Sequence, residues 1–244
     1  MSGETRPEEL ARRLAVVRQR IDAACAAAGR PQGSVDLLAV TKTVPAADVA
    51  TLLDLGCVAF GENRVQEAGR KVEEVAALRP DARPRWHVVG GLQRNKARAV
   101  VRWADRVESV DSVRLADALD VAVRRALDTG ERDGILRLLV QMSVDGDPHR
   151  GGVTRDGLGP LAEHIAGCAG LQLDGLMAVA PLGADPDAAF ASVAAAAEQL
   201  RAAHPQARTL SIGMSGDLEV AIRHGSDVVR VGTALVGERR LTSR

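Results

Sequence analysis

Short apolar runs and amphipathic stretches alternate along this chain. The runs LLAVT (37–41), CVAFG (57–61), WHVVG (86–90), RVESV (106–110), ILRLLVQMSV (135–144), LDGLMAVA (173–180), TLSIGM (209–214) and DVVRVG (227–232) have the length and β-branched content of buried strands. Most gaps between them carry a helical pattern, such as VPAADVATLLDLG, NRVQEAGRKVEEVAALR and DSVRLADALDVAVRRALDTG. Ahead of the first strand, Thr5 and Glu8 stand at capping-box spacing and Pro7 suits a first helical turn. Leu10, Leu14, Val17, Ile21 and Cys25 then recur on one helical face until Gly29. The Ala-rich stretch 194–203 reads as helix rather than disorder. No Pro/Ser-rich linker or strong repeat divides the series, so residues 1–244 read as a single domain. The predicted fold is α/β, a TIM-type (β/α)8 barrel with an additional N-terminal helix. A doubly wound sheet is the alternative, but no G-x-G-x-x-G follows the first strand.

In a barrel of this kind the loops after the strands form the active face. Lys42, directly after LLAVT, then stands at the mouth, although a lysine at a strand tip is also common on any solvated surface. The tail adds a second constraint. Gly213, Ser215 and Gly216 follow the seventh strand, Asp217 opens a short helix, and Gly232 and Thr233 follow the eighth strand. Barrels often hold phosphate with these two loops, where small residues let backbone approach the oxygens and hydroxyls donate. Either loop alone would pass for a turn; both beside a mouth lysine favour phosphate. A lysine facing a phosphate site suits an imine with a phosphorylated aldehyde, with desolvation lowering the amine pKa. Two chemistries fit: a Schiff-base sugar-phosphate aldolase, or a pyridoxal phosphate protein. Arg230 interrupts VVRVG, where a buried guanidinium needs a partner. An internal ion pair with Glu62 or Asp217 is one reading. Facing a pyridine nitrogen is the other, and there arginine, which keeps its proton, would leave the nitrogen unprotonated.

Composition narrows the function classes. With 32 basic and 32 acidic residues the formal net charge is zero, so no global field recruits nucleic acid or an anionic membrane. Two Trp, two Phe and no Tyr leave little for base stacking. Cys25, Cys57 and Cys168 lie far apart without a C-x-x-C pair and read as reduced core thiols. His87, His149, His164, His204 and His224 lack metal-ligand spacing, and His87 reads as a packed strand residue. GMSGD ends in Asp where a G-x-S-x-G elbow needs Gly, which leaves a serine hydrolase little support. The charged N-terminus has no apolar signal core and nowhere do 18 apolar residues run together, so a cytoplasmic location is expected.

AVTK (39–42), FGENRVQE (60–67), WHVVGGLQRNK (86–96), DGLMAVAP (174–181), SIGMSGDLEVAI (211–222) and VRVGTALVG (229–237) resemble, in order and over nearly the whole chain, the pyridoxal phosphate homeostasis protein family. The resemblance implies a single barrel similar to the N-terminal domain of alanine racemase and a role in vitamin B6 homeostasis. It implies pyridoxal 5'-phosphate held as an imine on Lys42, with Arg230 facing the pyridine nitrogen and Ser215, Gly232 and Thr233 holding the phosphate. Asn63 would lie near the ring face or phenolic oxygen. A non-catalytic carrier or buffer, a monomer or weak homo-oligomer that delivers cofactor to pyridoxal-phosphate-dependent apoenzymes, is the function expected. The alternatives are an amino-acid racemase or the aldolase. GGLQRNK replaces the family's usual GPLQSNK, SGD replaces SDD, and DPHRGG stands where a lysine-glycine pair is frequent. These departures leave open whether Lys96, Arg98 and Arg150 form a transfer surface or a solvated face.

Overall fold

The structure, a computed structural model, describes residues 4–147 and 150–237. In chain order the elements are α1 (Arg6–Ala27), β1 (Asp36–Val40), α2 (Ala46–Asp54), β2 (Ala59–Glu62), α3 (Val65–Leu78), β3 (Arg85–Val88), α4 (Ala97–Val100), β4 (Arg106–Val110), α5 (Val113–Asp128), β5 (Leu136–Met142), α6 (Arg155–Ala166), β6 (Leu171–Ala178), α7 (Pro186–Ala203), β7 (Thr209–Ser211), α8 (Leu218–Arg223), β8 (Val228–Val231) and α9 (Thr233–Val236). The eight strands close in sequence order into a barrel, with β1 paired in parallel to both β2 and β8. Leu38 lies opposite Arg230 and Ala39 opposite Phe60, which brings the ends of β1, β2 and β8 together at the mouth.

The side-chain period of two sorts each strand into an outer and an inner row. Ala39, Val229 and Val231 join the outer layer with α1, α2, α8 and α9, while Leu38, Ala59 and Val228 form a separate small apolar cluster inside the barrel. Arg230, two residues after Val228, shares its inward row. A larger outer cluster runs from α4 through α7.

Thr5 and Glu8 form the expected capping box, with the Thr5 N–H donating to Glu8 Oε2 at 2.8 Å. The buried face of α1, from Leu10 to Cys25, packs in one cluster with Leu218, Ile222, Leu235 and Val236. Each such large side chain, fully buried, stabilises by about 1.5–3 kcal/mol, so this extra helix is fastened to the elements that carry the tail loops.

One predicted strand is cut to half its length. TLSIGM is a strand only over Thr209–Ser211, because Gly213 turns the chain at φ +89°. Beyond the eighth predicted strand, TALV folds as α9 after Gly232. Cys25 and Cys57 are buried as expected, but Cys168 is only half-buried. Among the described residues no helix is long and apolar enough to cross a membrane.

Candidate functional site

A cavity of about 750 Å³ opens at the C-terminal ends of the strands, and Lys42, Asn63, Ser215, Arg230, Gly232 and Thr233 all line it. The six residues singled out in the sequence therefore meet in one place. Val40, Val89, Val179 and Met214 add apolar walls.

Lys42 stands two residues beyond β1 and is exposed, which corrects the expectation of a desolvated amine. Its exit is fixed from beneath. The preceding residue, Thr41, is fully buried and its hydroxyl donates to Glu62 Oε1 at 2.7 Å. Lys71 of α3 donates from Nζ to the Thr41 carbonyl at 2.6 Å and to Glu62 Oε1 at 2.7 Å. This buried cluster pins the backbone next to the reactive-amine candidate, and nothing local in the sequence joins its three members.

Arg230 is 4% exposed and makes neither of the ion pairs considered for it. Glu62 is taken by Thr41 and Lys71, and Asp217 Oδ1 accepts from the Met214 N–H at 2.5 Å. Arg230 Nη1 instead donates to the carbonyl and hydroxyl oxygens of Ser211 at 2.7 and 2.8 Å, and Nη2 donates to the Ala178 carbonyl at 2.8 Å. These bonds use three of the five guanidinium N–H groups, leaving donors for an acceptor in the cavity that Arg230 lines. Burial pushes the Arg230 pKa down, opposed by the charges of Glu108 and Asp217. Beneath it, Ser211 Oγ donates to Glu108 Oε2 at 2.7 Å, and His87 Nδ1 lies 2.7 Å from Glu108 Oε1. His87 is therefore a hydrogen-bonded member of a buried network and not merely a packed residue.

The two tail loops are tied to each other and to α1. Ser215 Oγ accepts from the Ala234 N–H at 3.3 Å, and the Ser215 carbonyl accepts from Arg20 Nη2 at 3.0 Å. Arg20 also pairs with Glu219 at 2.7 Å, and Arg6 donates to the Val236 carbonyl at 3.0 Å. Gly213 admits this packing, since a Cβ there would lie 2.4 Å from the Ala221 Cβ. Across the mouth, a Cβ on Gly90 would meet the Asn63 Cβ at 2.9 Å, so the first glycine of GGLQ is what lets Asn63 lie against the β3 loop.

Arg150 is not a free surface cation: its guanidinium donates to the carbonyls of Val179 and Ala180 at 3.3 and 2.9 Å. Lys96 is half-buried and Arg98 exposed on the short helical segment after β3. Pro148 and His149, from the same DPHRGG stretch, lie outside the described residues. The described residues hold no group of three or more His, Cys, Asp or Glu side chains able to take a metal ion.

Residues 13–240 match the family model for the alanine racemase N-terminal domain. The pyridoxal phosphate homeostasis protein of Mycobacterium tuberculosis H37Rv is 48% identical, over 98% of this chain and 96% of its own. The chain belongs to the pyridoxal phosphate homeostasis protein family. The Escherichia coli K12 family member is 36% identical over 95% of this chain and 97% of its own. Among solved structures, PipY of Synechococcus elongatus PCC7942 with PLP bound is 36% identical, covers 93% of this chain and 100% of its own, and superposes with a TM-score of 0.78. Alanine racemase from Corynebacterium glutamicum, at 15% identity and a TM-score of 0.67, shares the fold; the match covers 94% of this chain and 60% of that enzyme.

The residues present suit the cofactor whose name the family bears. The cavity volume lies in the usual range for a small-molecule site. Its donor set comprises one primary amine, the hydroxyls of Thr43, Ser215 and Thr233, the Asn63 amide, and a guanidinium with N–H groups to spare, against apolar walls. Two departures from the usual family pattern fall on open positions, since a Cβ on Gly91 or Gly216 meets nothing within 4 Å.

Proposed function

We propose that this chain is a single pyridoxal-phosphate-binding domain over residues 1–244 that holds the cofactor covalently and reversibly at Lys42. In this reading it buffers a reactive aldehyde and releases it to pyridoxal-phosphate-dependent apoenzymes in the cytoplasm, as a monomer or weak homo-oligomer. The observation that carries it is the convergence of Lys42, Arg230 and both tail loops on one cavity. When bound, pyridoxal phosphate supplies an aldehyde that condenses reversibly with a primary amine. Lys42 offers that amine from a backbone fixed by Thr41, Glu62 and Lys71. Ser215, Gly232 and Thr233 would hold the phosphate, Asn63 would face the ring or its phenolic oxygen, and Arg230 would donate to the ring nitrogen, all six residues including Lys42 lining the same cavity.

Storage rather than turnover follows from the same residues. Racemisation needs proton-transfer groups on both faces of the substrate carbon, whereas Lys42 and Arg230 are the ionisable side chains lining the cavity among the described residues. Arginine does not give up its proton, and the chain has no tyrosine to stand opposite the lysine. Arg230 also withholds the proton that would make the ring a strong electron sink. The loaded protein is expected to show no sustained racemase, transaminase or decarboxylase activity on a panel of amino acids read by chiral chromatography, yet to reactivate an apoenzyme. Turnover that disappears in Lys42→Ala would establish an enzyme instead.

A further inference from the structure

We propose that Glu108, acting through Ser211, is the positioning residue that aims Arg230 into the cavity. The inference rests on the cofactor reading above and adds a function for groups lying beneath the site. Glu108 and Ser211 are both 0% exposed, His87 5% and Arg230 4%, so the four form an internal polar chain inside the barrel. Its hydrogen-bond order follows from donor capacity. An ionised carboxylate only accepts, so Glu108 takes the Ser211 hydroxyl proton at Oε2 and the His87 Nδ1 proton at Oε1, each at 2.7 Å. Burial alone would push the Glu108 pKa up; the His87 bond, the charges of His87 and Arg230, and the Ser211 bond hold it below the ordinary carboxylate value.

With its one proton committed, Ser211 Oγ is left to accept, and Arg230 Nη1 fills that position at 2.8 Å. The Ser211 and Ala178 carbonyls then fix both ends of the guanidinium. The plane of Arg230 is set by β6 and β7, and its unused N–H groups are those available to the cavity. Glu108 also supplies a buried negative charge that Arg230 meets through Ser211 rather than by direct contact. Without Glu108 the hydroxyl of Ser211 is free to rotate and donate elsewhere, and the guanidinium keeps its two carbonyl bonds but loses the fixed hydroxyl acceptor at Nη1.

The test compares pyridoxal phosphate with its carbon analogue, in which C–H replaces the ring nitrogen, by equilibrium titration against the full chain. A bond from a charged donor to the ring nitrogen makes wild type prefer pyridoxal phosphate about tenfold or more. Glu108→Gln and Ser211→Ala should each bring that ratio close to one while leaving binding of the carbon analogue within about twofold of wild type. Thermal melting and circular dichroism confirm folding, and Ser211→Ala, which only deletes a hydroxyl, decides the matter if Glu108→Gln fails to fold. A tenfold preference retained in folded variants, an equal loss for both ligands, or a wild type that does not distinguish them overturns the inference. Absence of covalent trapping in wild type would instead overturn the cofactor reading, and the inference with it.

Discussion

Replacing both Ser215 and Thr233 by alanine removes the two hydroxyl donors proposed for phosphate while keeping the loops in place. The Ser215 carbonyl still accepts from Arg20, and Asp217 still holds the Met214 N–H. The change does lose the 3.3 Å bond from the Ala234 N–H to Ser215 Oγ, a long contact between neutral groups. Ser215 is half-buried and Thr233 exposed, so their contributions differ. A bond to a charged group at the lower end of its range gives about 1.5 kcal/mol for Ser215. Water competes with the exposed Thr233, which leaves about 0.5–1 kcal/mol there. At about 1.4 kcal/mol per decade the double variant should bind pyridoxal phosphate about 30- to 60-fold more weakly. Pyridoxal, which lacks the phosphate, should lose no more than about twofold. Parallel absorbance titrations of the two ligands measure the difference. Equal losses would mean that the hydroxyls shape the fold and do not contact phosphate.

Lys71→Met strands Glu62 as an uncompensated buried carboxylate and should destabilise by about 3–5 kcal/mol in urea unfolding, with Glu62→Gln in the same chain recovering much of that loss; no recovery would mean that Lys71 acts by packing alone. Gly90→Ala should displace Asn63 and weaken cofactor binding, whereas Gly91→Ala, with open space at its Cβ, should bind as wild type, and titration of both variants tests the contrast. Because the folded Glu108 pKa is held below its ordinary 4.5, its ionised form favours the native state above that pH. That stabilisation is lost as pH falls through the lower folded value, so denaturation midpoints should fall steeply with acid below about pH 4.5 in wild type and less so in a folded Glu108→Gln variant. The Cys57 thiol, pushed up to about 11 by burial, should resist iodoacetamide in the native protein at pH 8, and rapid labelling read by mass spectrometry would contradict this placement.

The architecture and the mouth were legible in the sequence for a definite reason. Strand and helix have different periods, so LLAVT and the α1 stripe declare their structures locally, and closure of eight strands then brings Lys42 to the two tail loops. The partners of Arg230 were not legible. Its bonds go to Ser211 and Ala178, 19 and 52 residues away, and Ser211 reaches Glu108 across 103 residues. The ion pair with Glu62 does not form because Lys71 of α3, nine residues along the chain, claims that carboxylate.

Borohydride reduction of the pyridoxal-phosphate-loaded protein, followed by peptide mapping, addresses the central claim most directly. The account predicts one modified residue, Lys42, and no stoichiometric labelling in a folded Lys42→Ala variant. Modification of another lysine in wild type, such as Lys71 or Lys96, or undiminished labelling of Lys42→Ala, would contradict it.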